Sequence, residues 1–180
     1  RQAMAQAINR QVIIEENYLG HGTQVDSPIH PNSWLFLSAE GGYGYNLEKS
    51  KELIKSLGWK DSDGDGILED LEGNKVSFKL ITNTYNLYRS KTAYMIKNDL
   101  QKLGIEIKIY PQEQYNDSVS DLKIQEQWTN IEAVLLSGDY DIAFLGWELS
   151  TIQDLNFAFN GINIKTLSNF INYNNEKTNN

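Results

Sequence analysis

The sequence contains no cysteine, which excludes disulfide bonds, thiol catalysis and cysteine-ligated zinc. It also has no apolar run approaching the ~20 residues that a membrane-spanning helix needs. Positive charge is scarce, because 16 lysines and arginines stand against 24 aspartates and glutamates and leave a net charge of −8. No basic patch is evident, so nucleic acid is not an expected partner.

Histidine is rarer still, with two residues, and the sequence patterns of common enzyme classes are missing. The two histidines, His21 and His30, lie in one loop, and we interpret both as surface residues rather than metal ligands. Neither a Gly-x-Ser-x-Gly elbow nor a phosphate-binding P-loop occurs. A binding protein is therefore expected instead of an enzyme, and an α/β hydrolase-like enzyme is the least favoured alternative.

The 180 residues, 40% of them hydrophobic, are enough for one domain with a substantial core. From residue 76 onward, strands are predicted over residues 76–81, 105–109 and 142–145, with a helix between each pair. This βαβαβ order predicts an α/β fold in which helices flank a largely parallel sheet in three layers. The last strand is an uninterrupted apolar run, typical of a strand in the middle of such a sheet.

The first half of the chain is predicted to contain two helices and an irregular arm. Apolar residues at three- and four-residue steps predict helices over residues 2–16 and 47–57, the second capped by Asn46. Prolines and glycines interrupt residues 23–45, but this stretch also carries Trp34 and other large apolar residues. Because exposing them to water is costly, we expect an ordered arm packed on the core.

Polar segments that follow the predicted strands are the candidate binding residues. Ligands in open α/β sheets bind beyond the carboxyl ends of the strands, where a helix N-terminus also attracts carboxylate or phosphate. The indole of Trp147 offers a flat apolar wall with one hydrogen-bond donor, although the same ring could belong to the core. The residues expected at this edge are Gly146, Trp147, Glu148 and Ser150 after the third strand, with Asn83 and Tyr85 after the first.

An acidic motif precedes the first of these strands. Asp61, Asp63 and Asp65 match the first three calcium-ligand positions of an EF-hand loop. Gly66 matches the turn glycine of that loop, and Glu72 matches its bidentate twelfth position. A strand rather than a helix follows, and aspartate and glycine are ordinary turn residues. The motif therefore predicts either a calcium site or a metal-free structural turn.

Several short segments resemble, in the same order, the second lobe of the solute-binding proteins of peptide-type ABC transporters. They are residues 1–14, 27–34, 45–50, 57–59, 63–67, 103–105 and 139–147. The resemblance extends from residue 1 to about residue 173, and the shared order of the segments makes it specific.

This resemblance implies a class II periplasmic-binding-protein-like fold, with residues 1–173 as one partial lobe and residues 174–180 as a disordered polar tail. It implies a two-lobed, hinge-closing receptor that traps peptides outside the cytoplasmic membrane and delivers them to permease subunits. Such a receptor is periplasmic or a cell-surface lipoprotein, with its membrane anchor outside this sequence. It needs no cofactor.

The resemblance also implies roles for individual residues. Family members often hold the peptide's amino group with an aspartate three residues after the tryptophan, where this sequence has Ser150, so Asp154 is the expected substitute. Trp147 would form a wall against the ligand, and Gly146 and Glu148 would offer backbone groups. Alternatives that remain open are a nickel chelate or an oligosaccharide as ligand, and a calcium-stabilised surface module built on residues 61–72.

Overall fold

The computed structural model describes most of the chain, namely residues 1–36, 42–113, 118–147, 155–161, 169, 171 and 173–176. Within these ranges the elements follow in the order α1 (Gln2–Ala7), α2 (Arg10–Asn17), α3 (Leu47–Lys55), β1 (Ser77–Ile81), α4 (Leu87–Gln101), β2 (Glu106–Tyr110), α5 (Asp121–Ser137), β3 (Ile142–Ala143) and α6 (Asn156–Phe159). None of these helices combines the length and the hydrophobicity that crossing a bilayer requires.

The three strands form one parallel sheet in the order β2-β1-β3. β1 pairs with β2 along its whole length, from Ser77 opposite Glu106 to Ile81 opposite Tyr110. It pairs with β3 over a shorter ladder, in which Ile81 lies opposite Ala143. The predicted α/β fold with a parallel sheet flanked by helices is confirmed.

The expectation that the third strand occupies the middle of the sheet is wrong. Among the described residues β3 has one neighbouring strand and Ala143 is exposed, whereas β1 lies between two strands. The run at 142–145 is apolar for another reason, since Phe144 packs on the core of one face of the sheet and Leu145 on the core of the other. The apolar run is uninterrupted because its last two residues pack on the cores just beyond the strand end, and not because the strand is central.

Two hydrophobic cores lie on opposite faces of the sheet, because successive side chains of a strand point to opposite sides. Leu80 and Ile81 are both fully buried, but Leu80 belongs to the core shared with α1, α3 and α4, whereas Ile81 packs with Ile131 and Leu135 of α5. The other buried members of the larger core are Ala3, Ala7, Ile13, Ile54, Val76, Ala93, Ile96, Leu100, Leu103, Ile105 and Ile107. The structure therefore has three layers, with α1, α3 and α4 on one face of the sheet and α5 on the other.

The single helix predicted over residues 2–16 is two helices in the structure. Asn9 interrupts it, because its side chain accepts a hydrogen bond from the Val12 N–H at 3.2 Å and so caps α2. The Asn9 N–H in turn donates to Asp99 Oδ2 of α4 at 2.9 Å. Asparagine competes well for backbone groups at helix ends, and here a tertiary hydrogen bond fixes the break.

The predicted cap of the next helix and the predicted stop of α4 are both present. Asn46 accepts a hydrogen bond from the Lys49 N–H at 2.9 Å. Gly104 follows α4 with a φ of +75°, and a Cβ at this position would lie 2.7 Å from the Leu68 Cγ. Glycine is therefore required here both for the left-handed turn and for the close approach of the preceding loop.

In the described parts of the arm, residues 23–36 and 42–45, hydrogen bonds and an ion pair join the arm to the rest of the chain, and Trp34 lacks the apolar packing that we expected. Trp34 is 84% exposed, so the part of the chain that the structure describes does not cover this indole. Arg10 of α2 instead anchors the arm, because its Nη2 donates to Asp26 Oδ1 at 2.7 Å and to the Tyr43 carbonyl at 3.0 Å. Charged hydrogen bonds of this kind hold a segment in place without burying its aromatic residue.

Leu80→Ala should lower the free energy of unfolding by roughly 2–5 kcal/mol, because it leaves a cavity in the core between β1 and the helices. Urea denaturation followed by circular dichroism measures this change. The matched control is Leu122→Ala, since Leu122 is 65% exposed on α5 and should change stability by less than about 0.5 kcal/mol. Similar losses from both substitutions would contradict the assignment of the core.

Candidate ligand-binding edge

The carboxyl ends of the three strands meet at one edge of the sheet, because Ile81 lies opposite the last residue of each neighbouring strand. Thr82, the next residue, joins both neighbours. Its N–H donates to the Tyr110 carbonyl at 3.1 Å, and its Oγ1 donates to the Phe144 carbonyl at 2.7 Å. The Phe144 N–H returns a hydrogen bond to the Ile81 carbonyl at 2.9 Å. The predicted convergence of these segments is therefore observed.

The loop after β1 is polar yet buried, and α5 holds it in place. Thr82, Asn83 and Thr84 all have low exposure. Gln127 of α5 is also buried, and its side chain donates to Thr84 Oγ1 at 2.9 Å and accepts from the Tyr85 N–H at 3.2 Å. Because these polar groups are paired inside the protein, the loop is pre-organised rather than free to rearrange.

Arg89 is the main residue of this edge that sequence reasoning missed. It lies in the first turn of α4, and its Nη1 donates to Asn83 Oδ1 at 2.7 Å. A methyl group on Gly146 would fall on the same guanidinium, so Arg89 connects the loop after β1 to the segment after β3. The structure gives Arg89 no carboxylate partner within the described residues.

A sequence signal for Arg89 did exist. The positive end of the helix macrodipole lies at the N-terminus, so a cation in the first turn is locally unfavourable. The Asn86 side chain caps α4 by accepting a hydrogen bond from the Arg89 N–H at 3.0 Å, which places Arg89 in that turn. A local conflict of this kind is expected mainly at functional positions.

The structure brings two of the predicted edge residues, Gly146 and Asn83, against the same Arg89 side chain and leaves three others undescribed. Trp147 is 48% exposed, so it is not a core residue, and Gly146 beside it is exposed as well. Asn83 is buried and engaged by Arg89, while Tyr85 is half-buried. Three further predicted residues, Glu148, Ser150 and Asp154, lie outside the described residues.

The acidic motif forms a separate cluster whose membership differs from the predicted one. Asp61, Asp63, Asp65 and Glu69 each bring a carboxylate oxygen within 4.8 Å of the others, so together they could hold a metal ion. Glu72, the predicted twelfth ligand, is not in this group. The chain turns back before reaching it, and Glu72 lies exposed.

Lys75 is the cation that contacts this cluster. Its Nζ forms ion pairs with Asp65 and, at 3.3 Å, with Asp63. The hydrogen bond from Lys75 lowers the pKa of the Asp65 carboxyl, and the two aspartates raise the pKa of Lys75. All three groups are exposed, so these ion pairs contribute little to stability.

Comparison with known families and proteins gives a consistent result. Residues 1–162 match the family described as bacterial extracellular solute-binding proteins, family 5. The oligopeptide-binding protein AppA of Bacillus subtilis is 33% identical over 177 residues, which are 97% of this chain and 30% of that protein. The dipeptide-binding protein of Escherichia coli is 27% identical over 82% of this chain and 23% of its own length. The chain thus spans less than a third of these curated relatives.

Solved structures agree with the sequence comparison. The structure of AppA in complex with a nonapeptide superposes with a TM-score of 0.79 at 31% identity, covering 99% of this chain and 33% of that one. NikZ of Campylobacter jejuni, solved in complex with Ni(L-His), superposes with a TM-score of 0.74 over 99% of this chain and 33% of its own. Its identity is 19%, so this second likeness shows the fold alone.

Thr82→Val should lower the free energy of unfolding by about 1–2 kcal/mol, because the isosteric methyl group cannot donate to the Phe144 carbonyl. Denaturant unfolding measures the loss, and amide hydrogen exchange at Phe144 should accelerate. Thr129→Val is the control, since Thr129 is exposed on α5 and its hydroxyl bonds within its own helix. An unchanged stability for Thr82→Val would show that the edge does not depend on this hydroxyl.

Proposed function

This chain belongs to the bacterial extracellular solute-binding proteins of family 5, and we propose that it forms most of one lobe of a peptide receptor for an ABC transporter. The receptor would bind peptides outside the cytoplasmic membrane and deliver them to the permease subunits. The observation that carries the proposal is the 33% identity, over 97% of the chain, with an oligopeptide-binding protein. The solved complex of that relative holds a nonapeptide.

We propose that residues 1–173 are a partial lobe and that residues 174–180 are a polar tail. The receptor would be periplasmic or a cell-surface lipoprotein. It would act by binding without catalysis and would need no cofactor to hold peptide. Membership in a family of extracellular binding proteins supports the binding role and the location outside the cytoplasmic membrane.

The described part of the edge is suited to an extended peptide. Trp147 would form a flat wall against an apolar side chain or the peptide plane. Gly146 has no side chain, so a ligand backbone can approach its peptide groups closely. Backbone recognition of this kind tolerates many peptide sequences, because side chains are left to wide, hydrated pockets.

Charge complementarity supports the same ligand class. The Arg89 guanidinium and the N-terminus of α4 both direct positive charge toward the edge, where they would attract a peptide carboxylate or carbonyl groups. Asn83 would act mainly by holding Arg89 in position, and Tyr85 would contact the ligand from the neighbouring strand end. We assign the peptide's amino group to Ser150 and Asp154, with Glu148 supplying backbone groups.

A single lobe leaves this edge open, since Trp147 is about half exposed. Closure of a second lobe over the edge would bury the indole and strengthen the hydrogen bonds around the ligand by excluding water. We therefore expect tight binding in the two-lobed receptor and weak binding in this lobe alone.

Calorimetric titration of the purified two-lobed protein with a peptide mixture should release heat, and Trp147→Ala should weaken the affinity roughly 10- to 100-fold. Loss of the indole removes the wall on which the ligand lies. Leu136→Ala is the control, because Leu136 has a similar exposure of 54% but lies in the last turn of α5, which leads to the opposite end of β3. Absence of heat with every peptide, together with binding of an oligosaccharide or a nickel chelate, would overturn the peptide assignment.

Gly146→Ala should weaken peptide binding and lower stability by roughly 1–3 kcal/mol, because the added methyl group would displace Arg89 and leave the buried Asn83 Oδ1 without its hydrogen bond. The affinity and the melting temperature are measured on the same preparation. Gly44→Ala is the control, since a Cβ at Gly44 meets nothing within 4 Å. An unchanged affinity of the Gly146→Ala variant would show that Arg89 is not part of the binding site.

A further inference from the structure

The Glu69 side chain is a buried carboxylate with one oxygen that lacks a partner. Only 8% of the residue is exposed. Its Oε2 accepts a hydrogen bond from the Ser62 N–H at 2.7 Å, but its Oε1 has no hydrogen bond to any residue in the described ranges. Burying an ionised carboxylate in this state is costly unless a cation compensates its charge.

The surroundings of Glu69 add negative charge instead of balancing it. Its carboxylate lies in the cluster with Asp61, Asp63 and Asp65, whose ligand oxygens are within 4.8 Å of one another. Lys75 pairs with Asp63 and Asp65, and within the described residues it forms no ion pair with Glu69. Four carboxylates and one ammonium leave an excess of negative charge around the buried oxygen.

The spacing of these carboxylates fits calcium. Asp61, Asp63 and Asp65 occupy positions one, three and five of an EF-hand-like loop, and Glu69 occupies position nine. Gly66 takes the turn position with a φ of +87°. Calcium takes six to eight hard oxygen ligands in a flexible geometry, whereas magnesium demands a near-ideal octahedron and keeps its waters.

We propose that residues 61–69 bind Ca²⁺ through the carboxylates of Asp61, Asp63, Asp65 and Glu69, with water completing the coordination. The buried Glu69 is the anchoring ligand, and Glu72 is not a ligand. Lys75 occupies the cluster in the absence of the ion and competes with it. Since Lys75 is about half exposed, its ammonium can move into solvent when calcium binds.

The position of the loop indicates what the ion does. The Glu69 N–H and carbonyl pair with Lys60, at 2.9 Å and 3.2 Å. The neighbouring Leu68 carbonyl accepts a hydrogen bond from the Val76 N–H at 2.7 Å, immediately before β1. Calcium therefore stabilises the segment that leads into the amino end of β1. The candidate ligand-binding edge lies at the other end of this strand, so the ion affects stability and not ligand contacts.

Titration of the chelator-treated protein with CaCl₂ tests the site. Calorimetry should give a Kd on the order of 10⁻⁴ to 10⁻³ M, as in extracellular calcium modules. The melting temperature should rise by roughly 4–8 °C in about 10 mM CaCl₂ relative to chelator. Mg²⁺ should bind at least about tenfold more weakly than Ca²⁺. Equal affinity for both ions would show that the cluster attracts cations only through its negative charge, and would overturn the proposal.

Paired variants identify the ligands. Glu69→Gln can still accept the Ser62 hydrogen bond but should weaken calcium binding at least about tenfold, whereas Glu72→Gln should leave the affinity within about twofold. Lys75→Gln should tighten binding several-fold by removing the competing cation, a gain that misfolding cannot imitate. No calcium response in either the native protein or Lys75→Gln, or equal losses from the two glutamate variants, would overturn the proposal.

Discussion

The two-sided hydrogen bonding of β1 is the constraint from which the rest of this structure follows. Because β1 lies between β2 and β3, its alternating side chains are buried on both faces, with Leu80 in one core and Ile81 in the other. In the same register, the last residues of all three strands lie side by side, with Ile81 between Tyr110 and Ala143. Thr82 then connects the two neighbouring strands through its backbone N–H and its hydroxyl. The stable sheet and the candidate ligand-binding edge are therefore both consequences of one register.

The edge itself combines rigidity with a local electrostatic conflict. Gln127 pairs with the Thr84 hydroxyl and the Tyr85 N–H of the loop after β1, so little reorganisation of this loop remains when a ligand arrives. Arg89 stands at the positive end of α4, where a cation is unfavourable without an anion nearby. A carboxylate or carbonyl group of a bound peptide would relieve this conflict, which is why the charge arrangement and the proposed ligand class agree.

The two proposed sites lie at opposite ends of β1. The acidic cluster around Glu69 lies where the chain enters β1, and the candidate ligand-binding edge lies where it leaves. The negative charge of the cluster is thus kept away from Arg89. A cation held at Glu69 would act on the segment before β1 without altering the charge presented to a peptide.

Periodicity and spacing determined the local elements: the α/β order, the cap at Asn46 and the stop at Gly104. These follow from interactions between residues close in sequence, which a pattern can record. Tertiary structure alone decided which strand is central, the break at Asn9 through Asp99, and the placement of Arg89 against Gly146. It also replaced Glu72 by Glu69 in the acidic cluster, because the loop closes back on Lys60. Each of these depends on contacts between distant segments, and no local spacing contains that information.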